Sequence, residues 1–139
     1  MGYLADEDTQ ALREVFGHLV ETVTVHLATD DTELKDLMAD VCAAGDGKVS
    51  LVILDPETDE ARVKELGIEM TPGMALSSAN ARGKLRFYGH PFGYEMATLV
   101  AAIADLGAAP GTPPVGVAAQ EALDATTQDV HIQVFSTPG

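Results

Sequence analysis

The residue with the highest intrinsic reactivity in this sequence is Cys42, the only cysteine among 139 residues. A thiol reacts as its thiolate, and disulfide exchange needs a second thiol nearby to release the mixed disulfide. Cys42 lies on the apolar stripe of a predicted helix, where a thiol packs as a small hydrophobic side chain with little thiolate character. The sequence therefore predicts a core role for Cys42. A single-cysteine thiol oxidoreductase or redox sensor that uses Cys42 is the alternative.

Three aspartates, Asp30, Asp31 and Asp55, come at the ends of predicted strands. Carboxylates in such positions could gather Mg²⁺, as in a receiver-like doubly wound domain. The run Asp30-Asp31-Thr32 also offers short polar side chains that accept hydrogen bonds from the free N–H groups at the start of the next helix. The helix dipole favours negative charge at that end. We therefore expect these residues to act as helix caps.

The remaining polar residues do not have the spacing of a metal or cofactor site. The four histidines stand at positions 18, 26, 90 and 131, without the paired spacing of metal ligands. The sequence has no glycine-rich phosphate loop, serine nucleophile elbow or paired-carboxylate arrangement. We therefore predict no metal, no cofactor and no catalytic residue.

The composition argues against several classes of partner. A formal net charge of −14 opposes binding to nucleic acid or to an anionic membrane, because both depend on clustered Lys and Arg. No apolar run is long enough for a membrane span, and residues 1–8 lack the basic and apolar regions of a signal peptide. A lone cysteine suits a reducing compartment. We therefore predict a cytoplasmic protein.

The hydrophobic periodicity predicts eight elements before residue 107. Helices are predicted at 8–19, 32–44, 56–67 and 94–106, and strands at 23–29, 49–54, 74–78 and 85–89. Asp55 and Pro56 provide the N-cap and the first residue of the third helix. The unbroken apolar run 49–54 is typical of a strand that is covered on both faces.

The order of these elements predicts the fold class. Strands that alternate with helices need crossover connections and pair in parallel, whereas the last two strands, joined by a short turn, must be antiparallel. The chain is therefore expected to be an α/β protein, with a small mixed sheet flanked by helices. A receiver-like domain needs a helix between every two successive strands, and none fits between Ser78 and Leu85.

The composition changes beyond Leu106, where residues 108–114 form a Pro/Gly-rich linker. A helix at 115–125 and a strand at 130–136 are predicted after it. A shift of 107 positions (130 − 23 = 107) lays Val23 on Val130 and Thr29 on Ser136, so this tail repeats the helix and strand at the N-terminus. We therefore predict a first unit at 1–107 and the opening of a second, truncated unit at 115–139. The alternative is that any amphipathic helix followed by a strand would align as well.

Two segments carry a resemblance to a known family. They are Met70-Thr71-Pro72 and the run 86–95, which describe a strand entered through a proline, a partner strand, a Gly/Pro corner and a final helix. In these segments, and in 23–29 and 48–54, the chain resembles the tandem thioredoxin-fold proteins. These are the protein disulfide oxidoreductases and the N-terminal domain of the alkyl hydroperoxide reductase flavoprotein subunit. The resemblance covers nearly the whole chain and implies a thioredoxin-like sheet, a cis Thr71-Pro72 bond and a tail that begins the second unit.

The resemblance also implies a binding groove at one end of the sheet. Its residues are Thr29, Asp30, Asp31, Met70, Thr71 and Pro72. In the family, backbone groups at this proline face an extended partner segment. The rival interpretation, which we favour for the aromatic residues, is that Met70, Phe87, Tyr88 and Phe92 only seal the sheet.

The chain departs from the family at the site of chemistry. The segment after the first strand, Thr29-Asp30-Asp31-Thr32, holds no cysteine, as in the hydroperoxide reductase branch. The resemblance therefore implies a redox-silent structural and docking module of a thiol-disulfide oxidoreductase system, whose active dithiol is expected beyond residue 139. No activity is expected from this chain alone, and oxidoreductase chemistry follows only from the resemblance. The implied partner is a second thioredoxin-like unit or a redox partner protein.

The predicted tail strand has an apolar face but no sheet of its own. Val130, Ile132 and Val134 lie on one face of the strand, and His131, Gln133 and Phe135 lie on the other. Such an unpaired strand tends to seek a partner edge. We expect it either to add to an edge of its own sheet or to pair with the same strand of another copy, which would give a symmetric homodimer through the tail.

Overall fold

The computed structural model describes residues 2–81, 83–110 and 115–136. The elements in chain order are α1 (Asp6–Gly17), β1 (Val23–Ala28), α2 (Thr32–Ala43), β2 (Val49–Leu54), α3 (Glu60–Glu65), β3 (Gly73–Ser77), β4 (Leu85–Tyr88), α4 (Tyr94–Leu106) and α5 (Val117–Asp124). The eight elements predicted before residue 107 are all present, in the predicted order. No helix of the described residues is long and apolar enough to cross a membrane.

Four strands form one mixed sheet in the order β2-β1-β3-β4. β1 and β2 are parallel, because α2 crosses over between them. β3 runs antiparallel to both β1 and β4, and a short connection joins β3 to β4. The predicted α/β class with a mixed sheet flanked by helices is confirmed.

One face of the sheet carries the main core. Helices α1, α2 and α4 contribute the fully buried Phe16, Met38 and Leu99, which belong to the same cluster as Val25 and Leu27 of β1. Because side chains alternate along a strand, the intervening residues of β1 point to the opposite face. Each large apolar side chain buried in this way stabilises the fold by about 1.5–3 kcal/mol. This layer holds the ends of β1 and α2 in place.

The opposite face is covered by the short helix α3, which begins four residues later than predicted, at Glu60. The carboxylate of Asp55 accepts hydrogen bonds from the backbone N–H groups of Glu57 and Thr58 at 2.8 and 3.0 Å. Both hydrogen bonds lower the pKa of Asp55, and the one from Thr58 has the larger effect. Asp55 therefore caps a turn instead of the helix, and the predicted N-cap role was wrong in this respect.

The burial of β2 also differs from the prediction. Val52 is 39% and Ile53 45% exposed, although the run 49–54 was expected to be covered on both faces. β2 is an edge strand, and the helix that follows it is only six residues long. An apolar run has the same appearance in a central strand and in an edge strand, so the sequence could not distinguish them.

The tail contains the predicted helix but not the predicted strand. None of the residues of α5 is buried, and residues 129–136 are exposed and have no regular secondary structure. A strand needs neighbouring backbone groups to pair with, and the described tail lies on neither edge of the sheet. The strand predicted at 130–136 is therefore not formed. Residues 111–114 of the predicted linker and 137–139 lie outside the described residues.

Candidate functional site

The pairing of β1 with β3 brings the two predicted groove segments together. Ala28 lies opposite Gly73 in the antiparallel register. Thr29, which follows Ala28, and Pro72, which precedes Gly73, are therefore neighbours. The Thr71-Pro72 peptide bond is cis. The backbone N–H of Gly89 donates to the carbonyl oxygen of Pro72 over 2.9 Å. The residues of the predicted groove thus lie where the ends of β1, β3 and β4 meet the start of α2.

Asp31 is the N-cap of α2, as the sequence predicted for this run. Its Oδ1 accepts a hydrogen bond from the backbone N–H of Leu34 at 3.1 Å. The backbone N–H of Asp31 in turn donates to Oγ1 of the buried Thr29, also at 3.1 Å. Asp30 is exposed. The helix end that would activate a thiolate in a dithiol enzyme is occupied here by a carboxylate.

His90 completes this site and was not predicted as part of it. Its Nε2 lies 2.7 Å from Oδ2 of Asp31. The imidazole stacks on the ring of Phe92, with centroids 5.6 Å apart and an interplanar angle of 9°. The Gly/Pro corner after β4 was recognised, but the contact joins residues 59 positions apart, which no local spacing signals.

Hydrogen bonding explains the electrostatics of the pair. The hydrogen bond from His90, and then that from the backbone of Leu34, lower the pKa of Asp31. A carboxylate that accepts such bonds is favoured in its charged form. Asp31 and His90 therefore tie the start of α2 to the loop before α4.

The aromatic residues and Met70 divide into two groups. Phe87 packs against the main core, and Tyr88 packs against the second cluster. The packing interpretation is correct for these two residues. Met70 and Phe92 are 61% and 64% exposed, so they do not seal the sheet. Like the exposed Thr71, both side chains are open to solvent.

Cys42 lies in the last turn of α2, far along the helix from its N-terminus. Its side chain belongs to the main core and is 4% exposed. Burial raises the pKa of Cys42 to about 12. A thiol in this state is neither ionised nor accessible near neutral pH.

Besides Cys42 in α2, His26 in β1 is a buried titratable residue. Its Nε2 lies 3.1 Å from Oγ of Ser77, and its Nδ1 has no hydrogen-bond partner in the described part of the chain. Burial, and then the neighbouring guanidinium of Arg62, lower the pKa of His26. Within residues 2–81, 83–110 and 115–136, no three His, Cys, Asp or Glu side chains lie close enough to hold a metal ion.

The cap and the histidine contact can be separated by substitution. Asp31→Ala removes both, and we expect the melting temperature at neutral pH to fall by roughly 2–5 °C. Asp31→Asn keeps an oxygen for the cap and removes only the charge. Because the pKa of Asp31 is lowered on folding, the contribution of the charge is present above the unfolded pKa of about 3.9 and is lost as the pH falls through the folded value.

Thermal unfolding followed by circular dichroism between about pH 6 and pH 2 measures this difference. The gap between the native protein and Asp31→Asn should shrink as the pH is lowered. Asp30→Asn removes the same charge from the exposed neighbour and serves as the matched control. Equal losses in the two variants would show that the contact with His90 contributes nothing.

The sheet order and the flanking helices define a thioredoxin-like protein. Its structure is similar to the N-terminal domain of alkylhydroperoxide reductase AhpF from Enterococcus faecalis, with 26% identity and a TM-score of 0.71, over 86% of this chain and 59% of the other. A second structure of that subunit, its C503A mutant, gives 25% identity and a TM-score of 0.72, over 88% and 61% of the two chains. The resemblance inferred from the sequence is thus confirmed.

A protein disulfide oxidoreductase from Aeropyrum pernix shares the fold. It is 23% identical, with a TM-score of 0.70 over 87% of this chain and 54% of the other. The chain therefore spans between about half and three fifths of the length of these structures. No protein-family model and no curated protein matches the sequence. The fold neighbours come from oxidoreductases, which relates this chain to the thiol-disulfide oxidoreductases.

Proposed function

We propose that this protein is a redox-silent thioredoxin-fold module that docks partners of a thiol-disulfide oxidoreductase system. The observation that carries the proposal is that the start of α2 holds a capping carboxylate in place of a reactive thiol. Asp31 caps the helix and binds His90, while Cys42 is buried in the core with a raised pKa. The start of α2 thus carries a carboxylate and no thiol.

The groove offers two means of binding. Met70 and Thr71 are exposed at the bend before β3, and no backbone hydrogen bond within the described residues uses the N–H of Thr71. An extended partner segment could pair with such free backbone groups. The exposed Phe92 would add apolar contact area. In this proposal the partner is a second thioredoxin-like unit, or another redox protein, that carries the dithiol.

The alternative function, a single-cysteine enzyme or sensor, is disfavoured by the position of Cys42. A redox-sensing cysteine is exposed and has a low pKa. Cys42 has the opposite properties on both counts. We also propose a cytoplasmic location, because a lone free thiol suits a reducing compartment.

Reduction of insulin by dithiothreitol tests the redox-silent role. We expect the chain to leave the rate of insulin precipitation at the background level, because it presents no thiolate to the insulin disulfides. An active thioredoxin serves as the positive control and Cys42→Ser as the matched variant. Turnover above background that is abolished in Cys42→Ser would overturn the proposal in favour of the single-cysteine enzyme.

We further propose that residues 1–107 are a first unit, 108–114 a linker and 115–139 the opening of a second unit, and that the tail joins two copies into a homodimer. The support is the exposure of the tail, where Val130, Ile132, Val134 and Phe135 are between 68% and 89% exposed. The segment 125–136 carries a single acidic residue, Asp129, in a chain of net charge −14. Two copies would therefore meet with little repulsion at this segment.

A further inference from the structure

A second concave surface lies next to the Asp31–His90 pair and contains none of the predicted groove residues. We call this surface the apolar cleft. It is lined by Tyr3, Leu4, Leu37, Pro91, Phe92 and Met96. Its volume is about 380 Å³. Leu37 and Pro91 form a buried floor, whereas Tyr3 and Phe92 are 51% and 64% exposed at the rim. A cleft of this size lies near the lower end of ligand pockets, roughly 300–1,000 Å³, and takes a few side chains.

The rim of the apolar cleft is acidic. Glu33 lines it directly, and no Lys or Arg is among its described lining residues. Desolvation, and then the carboxylates of Glu33 and Asp36, raise the pKa of Tyr3. The backbone N–H of Tyr3 also donates to Oδ2 of Asp40 at 2.7 Å.

Much of this charge is not compensated. Asp31 is paired with His90. The described part of the chain gives neither Glu33 nor Asp36 a salt-bridge partner. An apolar floor with the carboxylate of Glu33 on its rim favours a ligand that is apolar in the middle and cationic on its flanks.

We infer that the apolar cleft binds an extended segment of another protein in which one large apolar side chain, anchored between Tyr3 and Phe92, is flanked by Lys or Arg residues. The acidic rim argues against two other occupants, a second copy of the chain and the tail of the same chain. A second copy of the chain would bring a net charge of −14 against an acidic rim. The tail of the same chain, residues 125–136, contains no Lys or Arg. This inference does not depend on whether the chain is redox-silent.

Titration of the ¹⁵N-labelled full chain with a peptide tests the inference. The probe is Gly-Ser-Lys-Phe-Lys-Ser-Gly, with matched peptides in which Phe is replaced by Ala or both Lys by Glu. We expect amide shifts to change for Leu4 and for residues 92–96. Either replacement in the peptide should weaken binding about tenfold, since burial of a Phe side chain contributes at least that factor and several carboxylates act on the cations.

Two pairs of variants distinguish the cleft from the rest of the acidic surface. Glu33→Lys should weaken binding several-fold, whereas Glu57→Lys, the same change on the turn before α3, should not. Phe92→Ala should weaken it as well, and the matched control is Val20→Ala, which shortens an apolar side chain that is 64% exposed between α1 and β1. The inference is overturned if the glutamate peptide binds as well, if shifts map elsewhere, if Glu33→Lys and Glu57→Lys act equally, or if millimolar peptide changes no shift.

Discussion

Alkylation of native Cys42 by iodoacetamide at pH 8 is expected to be slower than alkylation of the unfolded chain by a factor on the order of 10³. The thiolate is the reactive form, and burial raises the pKa of Cys42 to about 12, against about 8.5 for a free cysteine. The side chain is also 4% exposed, so the reagent cannot reach it without local opening. Intact-mass spectrometry of samples quenched over time, with and without denaturant, measures the two rates.

A thiol next to Cys42 provides the control. Ala43 is exposed, so Ala43→Cys in a Cys42→Ser background presents one thiol on the same helix to solvent. That variant should react within about tenfold of the unfolded rate. If native Cys42 reacts as fast as this exposed thiol, the sensor hypothesis returns and the redox-silent role is wrong.

The same pKa shift has a consequence for stability. The unfolded chain loses the thiol proton above about pH 8.5, whereas the folded chain keeps it up to about pH 12. The unfolded state therefore binds fewer protons in this range, and the contribution of Cys42 to stability falls as the pH rises through it. Cys42→Ser should remove this part of the alkaline decline.

The second large effect is expected from the tail. Light scattering coupled to size exclusion should give the full chain twice its monomer mass of 14.6 kDa, whereas the chain without residues 115–139 should have only its own monomer mass. The deletion should leave the fold intact, because the buried residues of both clusters lie between Leu12 and Leu106. Thermal unfolding of the shortened chain verifies that point.

A pair of single substitutions tests whether the homodimer depends on strand pairing of the tail or only on the presence of the tail. Ile132→Glu places a charge on the apolar side of the segment and should give a monomer, whereas Gln133→Glu adds the same charge on the polar side and should not. A full-length chain that is already monomeric, with a mass per molecule that none of these changes alters, would exclude the homodimer.

Local patterns were sufficient for most of the fold. The apolar stripe of α2 and the β-branched run of β1 each have a period set by backbone geometry, so their sequence identifies them without knowledge of their neighbours. The order of the elements then required a parallel pair and an antiparallel hairpin, because a crossover and a short turn permit only those arrangements. The capping role of Asp31 was predictable for the same reason, since a cap acts within one turn of its helix.

The features that local patterns did not predict depend on contacts across the sheet. The approach of Thr29 to Pro72 was expected only from the resemblance, and the bond between Asp31 and His90 was not expected at all, because pairing of distant strands creates both. The exposure of Val52 depends on which strand lies at the edge, and the tail strand depends on a partner that its own sheet does not provide. The sequence alone determined the elements and the missing thiol pair, whereas the tertiary structure determined burial, the site and the open surfaces, because these depend on which elements become neighbours.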